Sequence, residues 1–201
     1  MQENSFKFFT LNYWRSIDKK ILFCFFLLFF LGLFFSFSST SSLAGERLNK
    51  DYYFFFTKHL IFTVLAISIM MIISFIRTEV LIKLVIPAFV VSFIFLAIVP
   101  IIGVEAKGAR RWLNLYFFNL QPVEILKPLF ILMTVKILTY ENFQNYHIKY
   151  FLSFILLSCV IILLIDQPDL GQSILLTSSW IATVFVSGVS LIYIGIFLTI
   201  F

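Results

Sequence analysis

Apolar residues in this chain come in long unbroken runs, separated by short polar stretches. The runs cover residues 21–37, 60–76, 84–103, 122–138, 150–165 and 170–186, and a further run starts at 191 and stops at 201. A helix rises about 1.5 Å per residue and the hydrocarbon core of a bilayer is about 30 Å thick. Each of the first six runs is therefore read as one crossing. Lipid cannot hydrogen-bond a bare backbone, so an isolated apolar run crosses as a helix. The pattern predicts an all-α polytopic transmembrane helix bundle of six complete spans and a truncated seventh. The last run is about half a bilayer long, and the chain is expected to be the N-terminal part of a longer protein. By domain, 1–20 is read as a cytoplasmic N-terminal tail and 21–201 as one transmembrane domain.

Composition agrees with lipid as the folding solvent. Of the 201 residues, 61% are hydrophobic and 12% charged, against about half and a quarter in soluble domains. Phe alone supplies 28 residues and is read as lipid-facing filling rather than a cofactor box. The net charge is +5, but membrane chains carry Lys and Arg in their loops, so nucleic acid is not expected as a partner. Cys24 and Cys159 both fall in apolar runs, where cysteine behaves as a small hydrophobe. Neither a disulfide nor a metal set is suggested. A basic stretch before the first run, with Ser42, Leu43 and Ala44 after it, has the outline of a signal peptide. The long basic region and the spans that follow at once favour a membrane anchor.

The polar stretches punctuate the runs. Residues 38–58 are read as a Ser-rich loop, with Tyr52 and Tyr53 returning it to the interface. Arg77, Glu79 and Lys83 are read as a charged turn, and Pro87 and Pro100 lie near the ends of the third span. Residues 104–121 are read as a loop whose Trp112, Leu113, Tyr116 and Phe117 lay it in the membrane interface. Pro128 is expected to kink the fourth span. Residues 139–149 are read as a polar loop with His147 exposed, and 187–190 as a tight turn. Lys and Arg count eight on one side (Lys7, Arg15, Lys19, Lys20, Arg77, Lys83, Lys136, Lys149) and six on the other (Arg47, Lys50, Lys58, Lys107, Arg110, Arg111). The four ahead of the first span favour a cytoplasmic N-terminus. Residues 108–121 and 166–169 then share the outer face.

Candidate chemistry sits in those two segments. Arg110, Arg111 and Trp112 precede a helix that Pro122 opens, and Gln121 stands just before it. Guanidinium forks suit phosphate oxygens; the same pair also suits simple snorkelling to the interface beside a belt tryptophan. Glu124 and Lys127 lie three apart on one helix face inside an apolar span. Lipid exposure is costly for both, so they are expected to pair and to face protein or water. They are read equally as a structural pair and as substrate ligands. Asp169 follows Pro168 at a helix start, where the dipole favours an acid.

Gly108-Ala109-Arg110-Arg111-Trp112, then Gln121-Pro122-Val123-Glu124 and Lys127, resemble the signature of the SEDS family (shape, elongation, division and sporulation). Gln167-Pro168-Asp169-Leu170-Gly171 resembles its second recurrent motif. Val123 replaces the usual serine, Tyr116 a frequent glycine, and Gln172-Ser173 follow the second motif. The double arginine is more similar to the cell-division branch than to the rod-elongation branch. The resemblance implies a ten-span fold and a glycosyltransferase that polymerises lipid II into peptidoglycan at the outer face of the bacterial inner membrane. It also implies a class B penicillin-binding transpeptidase and other division-machinery membrane proteins as partners. The family's proposed catalytic aspartate lies in an outer loop after the seventh span, beyond Phe201; Asp169 is not that residue. Arg110, Arg111, Trp112, Gln121, Glu124, Lys127 and Asp169 are the expected substrate-binding set. No cofactor is expected, and the residues neither demand nor exclude a divalent cation. A lipid II flippase, an elongation polymerase and a non-catalytic division scaffold remain the alternative readings.

Overall fold

The computed structural model describes residues 17–39, 53–106, 108–115, 118–141 and 145–188. The 1–16 tail, most of the Ser-rich loop and the final run at 191–201 lie outside them. The chain divides at Arg77 into two compact units. The first holds α1 (Lys19–Ser39) and α2 (Phe54–Ser74). The second holds α3 (Thr78–Ile102), β1 (Val104–Ala106), β2 (Ala109–Asn114), β3 (Asn119–Leu120), α4 (Pro122–Leu138), α5 (Tyr146–Asp166) and α6 (Leu170–Val186).

In the first unit, Asp18 caps α1. Its Oδ1 accepts from the Lys20 amide at 2.9 Å and the Ile21 amide at 3.3 Å, satisfying donors that have no partner inside the helix. At the other end of α1, Phe37 stacks on Tyr53 and meets Phe56 edge-on, with centroids 6.3 and 5.3 Å apart. Phe23, Phe30, Phe34 and Phe35 are exposed along α1, as lipid-facing filling requires.

Among the described helices α1, α2, α3 and α5 are long and apolar enough to cross a membrane. α4 and α6 have 17 residues each, or about 25 Å. Their bounds coincide with the expected 122–138 and 170–186, because the signals are local. Pro122 stands at the first helical position of α4, where its missing N–H costs nothing. Gly188, at φ 92°, follows the Ser187 cap of α6 and takes the left-handed position that ends a helix.

Three helices begin earlier than the apolar runs suggest. α2 starts at Phe54 rather than 60, α3 at Thr78 rather than 84, and α5 at Tyr146 rather than 150. Polar residues in a first turn do not stop a helix. Glu79 is an acid in the first turn of α3, favoured by the dipole. Asn145 Oδ1 accepts from the His147 amide at 3.0 Å and so opens α5. His147 is exposed, as expected, but lies on that helix. Lys149, read as a loop residue, is a buried helical one with Nζ 5.6 Å from the Tyr146 ring centroid.

The expected loop at 104–121 contains an antiparallel sheet in the order β1-β2-β3. Gly108 at φ 80° turns β1 into β2, a conformation that costs glycine little. The register pairs Val104 with Trp112, Glu105 with Arg110 and Ala106 with Ala109.

The core of the second unit is one seam shared by four helices. It takes Phe89 and Leu96 from α3, Leu126 and Phe130 from α4, Leu157, Val160 and Leu164 from α5, and Leu176, Trp180 and Val184 from α6. The spacing of three and four residues is that of a helix packing face. Ser92, Thr134, Ser153 and Ser173 also lie on it, small hydroxyl residues that let helices approach closely. Trp180 Nε1 donates to Ser153 Oγ at 3.2 Å, and that hydroxyl donates to Tyr150 O at 2.8 Å.

Phe130 is fully buried while Ile101 is 76% exposed. Phe130→Ala should lower stability by about 3 kcal/mol through lost contacts and a cavity. Ile101→Ala should change it by less than about 0.5 kcal/mol. Thermal unfolding of the full-length protein in detergent compares the two.

Candidate functional site

At one end of the second unit the chain gathers the end of α3, strand β2, the start of α4 and the α5–α6 corner. Side chains alternate along a strand, and β2 shows it: Ala109, Arg111 and Leu113 are buried or half-buried, while Arg110, Trp112 and Asn114 are exposed. The two arginines therefore part company. Arg110 Nη1 donates to Pro100 O at 3.3 Å, and its Nη2 lies 3.8 Å from Glu105 Oε2. Arg111 Nε donates to Gln167 O at 3.2 Å, its Nη2 donates to Pro168 O, and its Nε lies 3.7 Å from Asp169 Oδ2.

Each arginine thus caps the end of a different helix, α3 or α5. The last carbonyls of a helix lack internal partners and carry the negative end of its dipole, so a guanidinium there meets both needs.

Asp169 is a buried carboxylate, with a side chain 10% exposed. It is the N-cap of α6, accepting from the Gln172 amide at 3.5 Å. Gln121 Nε2 donates to its Oδ2 at 3.4 Å. Its own amide donates to Leu164 O at 3.0 Å, closing the end of α5. A buried charge needs pairing and hydrogen bonds; Arg111, Gln121 and the α6 N-terminus supply them.

The network continues into α4. Gln172 Nε2 donates to Glu124 Oε1 at 3.1 Å, and Glu124 Oε2 lies 2.7 Å from Lys127 Nζ. Glu124 is half exposed and Lys127 is 19% exposed. The expected pairing of these two is present. A continuous polar path therefore runs from Arg111 through Asp169 and Gln172 to Glu124 and Lys127. Of the expected set, Arg111, Gln121, Glu124, Lys127 and Asp169 come together on it. Arg110 and Trp112 are on the other face of β2 and do not.

Two residues belong here that the sequence reading quotes without assigning a role. Gln172 links the two halves of the path. Gln167 is 2% exposed and donates from Nε2 to Leu96 O at 3.0 Å. Both flank the Pro168-Asp169-Leu170-Gly171 motif, and a glutamine on each side of a helix boundary between two apolar runs was the signal available for them. Among the described residues no group of three or more His, Cys, Asp or Glu gathers as a metal-binding set.

The FTSW_RODA_SPOVE family profile, described as "Cell cycle protein", matches residues 18–201. The chain belongs to this family. The sequence is 32% identical over 189 residues to a protein of Caulobacter vibrioides named "Probable peptidoglycan glycosyltransferase FtsW", covering 90% of this chain and 47% of the relative. A Coxiella burnetii protein of the same name is 30% identical, with 88% and 48% covered. Among solved structures, a chain described under "Structural coordination of polymerization and crosslinking by a peptidoglycan synthase complex" is similar with a TM-score of 0.70. It is 25% identical, with 86% of this chain and 48% of that chain covered. A single-residue mutant of the Thermus thermophilus rod shape determining protein RodA is similar with a TM-score of 0.64, 25% identity, and 85% and 59% covered. The chain spans about half the length of the curated relatives it matches. The helix bundle and the SEDS resemblance expected from the sequence both stand on these matches, and the chain is a multi-pass membrane protein.

The two arginines should differ in what they hold up. Arg110 and Glu105 are 49% and 61% exposed, so Arg110→Ala should cost less than about 1 kcal/mol. Arg111→Ala strands the Asp169 carboxylate and should cost about 2 kcal/mol or more. For the α4 pair, Lys127→Met made together with Glu124→Gln should be less damaging than Lys127→Met alone, with a coupling of about 1 kcal/mol. Unfolding midpoints of these four variants, of Glu124→Gln alone and of the unaltered protein check both statements.

Proposed function

We propose that the full protein of which this chain is part polymerises lipid II into peptidoglycan glycan strands during cell division. The polar path from Arg111 to Lys127 forms part of its substrate cavity. The observation that carries this reading is the meeting of two motifs, Gly108–Trp112 and Gln167–Gly171, through Arg111 and the buried Asp169. Relatives that carry the glycosyltransferase name match most of this chain.

With a cytoplasmic N-terminus, alternate crossings put this end of the second unit on the outer side. There is no nucleotide sugar there, so the donor must arrive already activated, as a lipid-linked pyrophosphate sugar does. Lys127 and the outer edge of Arg111 are the cations on the path able to meet its phosphates. Arg110 and Trp112, on the other face of β2, are read as contacts to headgroups or to the sugar chain. The catalytic base is assigned beyond Phe201, and a class B penicillin-binding transpeptidase is the partner that would crosslink the product. The synthase complex among the similar structures, described as coordinating polymerisation with crosslinking, supports that partner.

In the full-length protein, Arg111→Ala and Asp169→Asn should each lower the rate of glycan polymerisation from purified lipid II at least tenfold, with Arg110→Ala within threefold of the unaltered protein. Gel analysis of the polymer reads this directly. Normal rates in both site variants would remove the cavity assignment. Movement of lipid II across vesicles without polymer would favour the flippase reading.

A further inference from the structure

Pro100 stands inside α3 and has no amide hydrogen. The carbonyl it would have served, four residues back, is that of Leu96, a fully buried residue. A carbonyl left without a donor in a dry helix interior costs about 1–3 kcal/mol. In this fold the missing donor comes from outside the helix: Gln167 Nε2, 3.0 Å from Leu96 O, across 71 residues of sequence. The Gln167 carbonyl meanwhile accepts from Arg111 Nε at 3.2 Å. One residue is therefore held by α3 at its side chain and holds Arg111 at its backbone. Two residues further on stands Asp169, the other half of the ion pair.

We propose that Gln167 is a positioning residue. Its side-chain amide, filling the gap that Pro100 leaves on Leu96, ties the α5–α6 corner to α3 and so fixes where Arg111 and Asp169 stand. The role rests on the proposed lipid II polymerase reading for its consequence on rate, and on the hydrogen-bond geometry alone for the tether. A proline in α3 and a glutamine at the corner form one device. The proline leaves that carbonyl without a donor inside the helix, and the glutamine supplies one from the corner.

The device makes a prediction that simple packing does not. Gln167→Leu keeps the volume and leaves Leu96 O unpaired. Adding Pro100→Ala returns an amide to that carbonyl from within α3. The double variant should then recover the thermal stability lost by Gln167→Leu, because every buried group is again satisfied. It should not recover the tether. Polymerisation by the full-length double variant should stay at least tenfold below the unaltered protein, while Pro100→Ala alone stays within threefold, since a carbonyl can accept from both donors.

Hydrogen exchange of the amides of Asp166, Gln167 and Asp169, followed without substrate, reads the tether independently of activity. It should be faster in the double variant by tenfold or more, with α3 still protected.

Three outcomes would overturn the proposal: Gln167→Leu with an unaltered rate; a double variant that recovers rate and stability together; or a double variant that does not fold, which would show that Gln167 serves something other than the Leu96 carbonyl. If the unaltered protein makes no polymer while exchange at 166–169 responds as stated, the functional reading fails and the tether stands.

Discussion

A helix that ends near lipid leaves carbonyls that water cannot reach freely, and something else must take up their hydrogen-bonding capacity. The site in this protein is built on that requirement. Arg110 takes the last turn of α3 at Pro100, and Arg111 takes the end of α5 at Gln167 and Pro168. Once Arg111 is fixed there, its charge is next to the start of α6, and a carboxylate at that N-cap becomes tolerable although nearly buried. Asp169 follows from Arg111, Gln121 from Asp169, and the Gln172–Glu124–Lys127 extension from the helix that Asp169 caps. Backbone satisfaction and the concentration of charge at one end of the second unit are one arrangement.

How far the sequence showed this depends on the range of each signal. α4 and α6 were legible to their end residues because Pro122 and the Ser187-Gly188 turn act within one helical turn. α2, α3 and α5 start ahead of their apolar runs because polar residues also open helices: Glu79 and the Asn145 cap belong to helix starts. The sheet was not foreseen. Ala109-Arg110-Arg111-Trp112-Leu113-Asn114 does not alternate apolar with polar, since a half-buried Arg111 sits where the pattern would ask for a hydrophobe. Gly108 was the available hint.

Which helix face is core was even less visible. In lipid both faces are apolar, so hydropathy carries no period. Phe89 and Phe130 are core, Phe23 and Phe30 are exposed, and nothing in their own identity distinguishes them. Small hydroxyl residues do not mark it alone either: Ser92, Thr134, Ser153 and Ser173 are buried, Ser68 and Ser178 exposed. The site was more legible than the packing, because a charge in an oily chain has few places to go. Five of the seven expected residues share the polar path. Arg110 and Trp112 fall away from it because adjacent strand positions face opposite sides, a fact invisible until the strand itself is known.

The strand also acts as a gauge. With neighbouring arginines on opposite faces of β2, one helix end is gripped from each side, and the distance along the backbone between the two grips is a single residue. A one-residue slip of β2 against β1 would hand α5 the wrong side chain and turn a guanidinium outward where the carboxylate waits. The length of the hairpin and the spacing to Gln121 are thus held by geometry far more tightly than a surface connection would be.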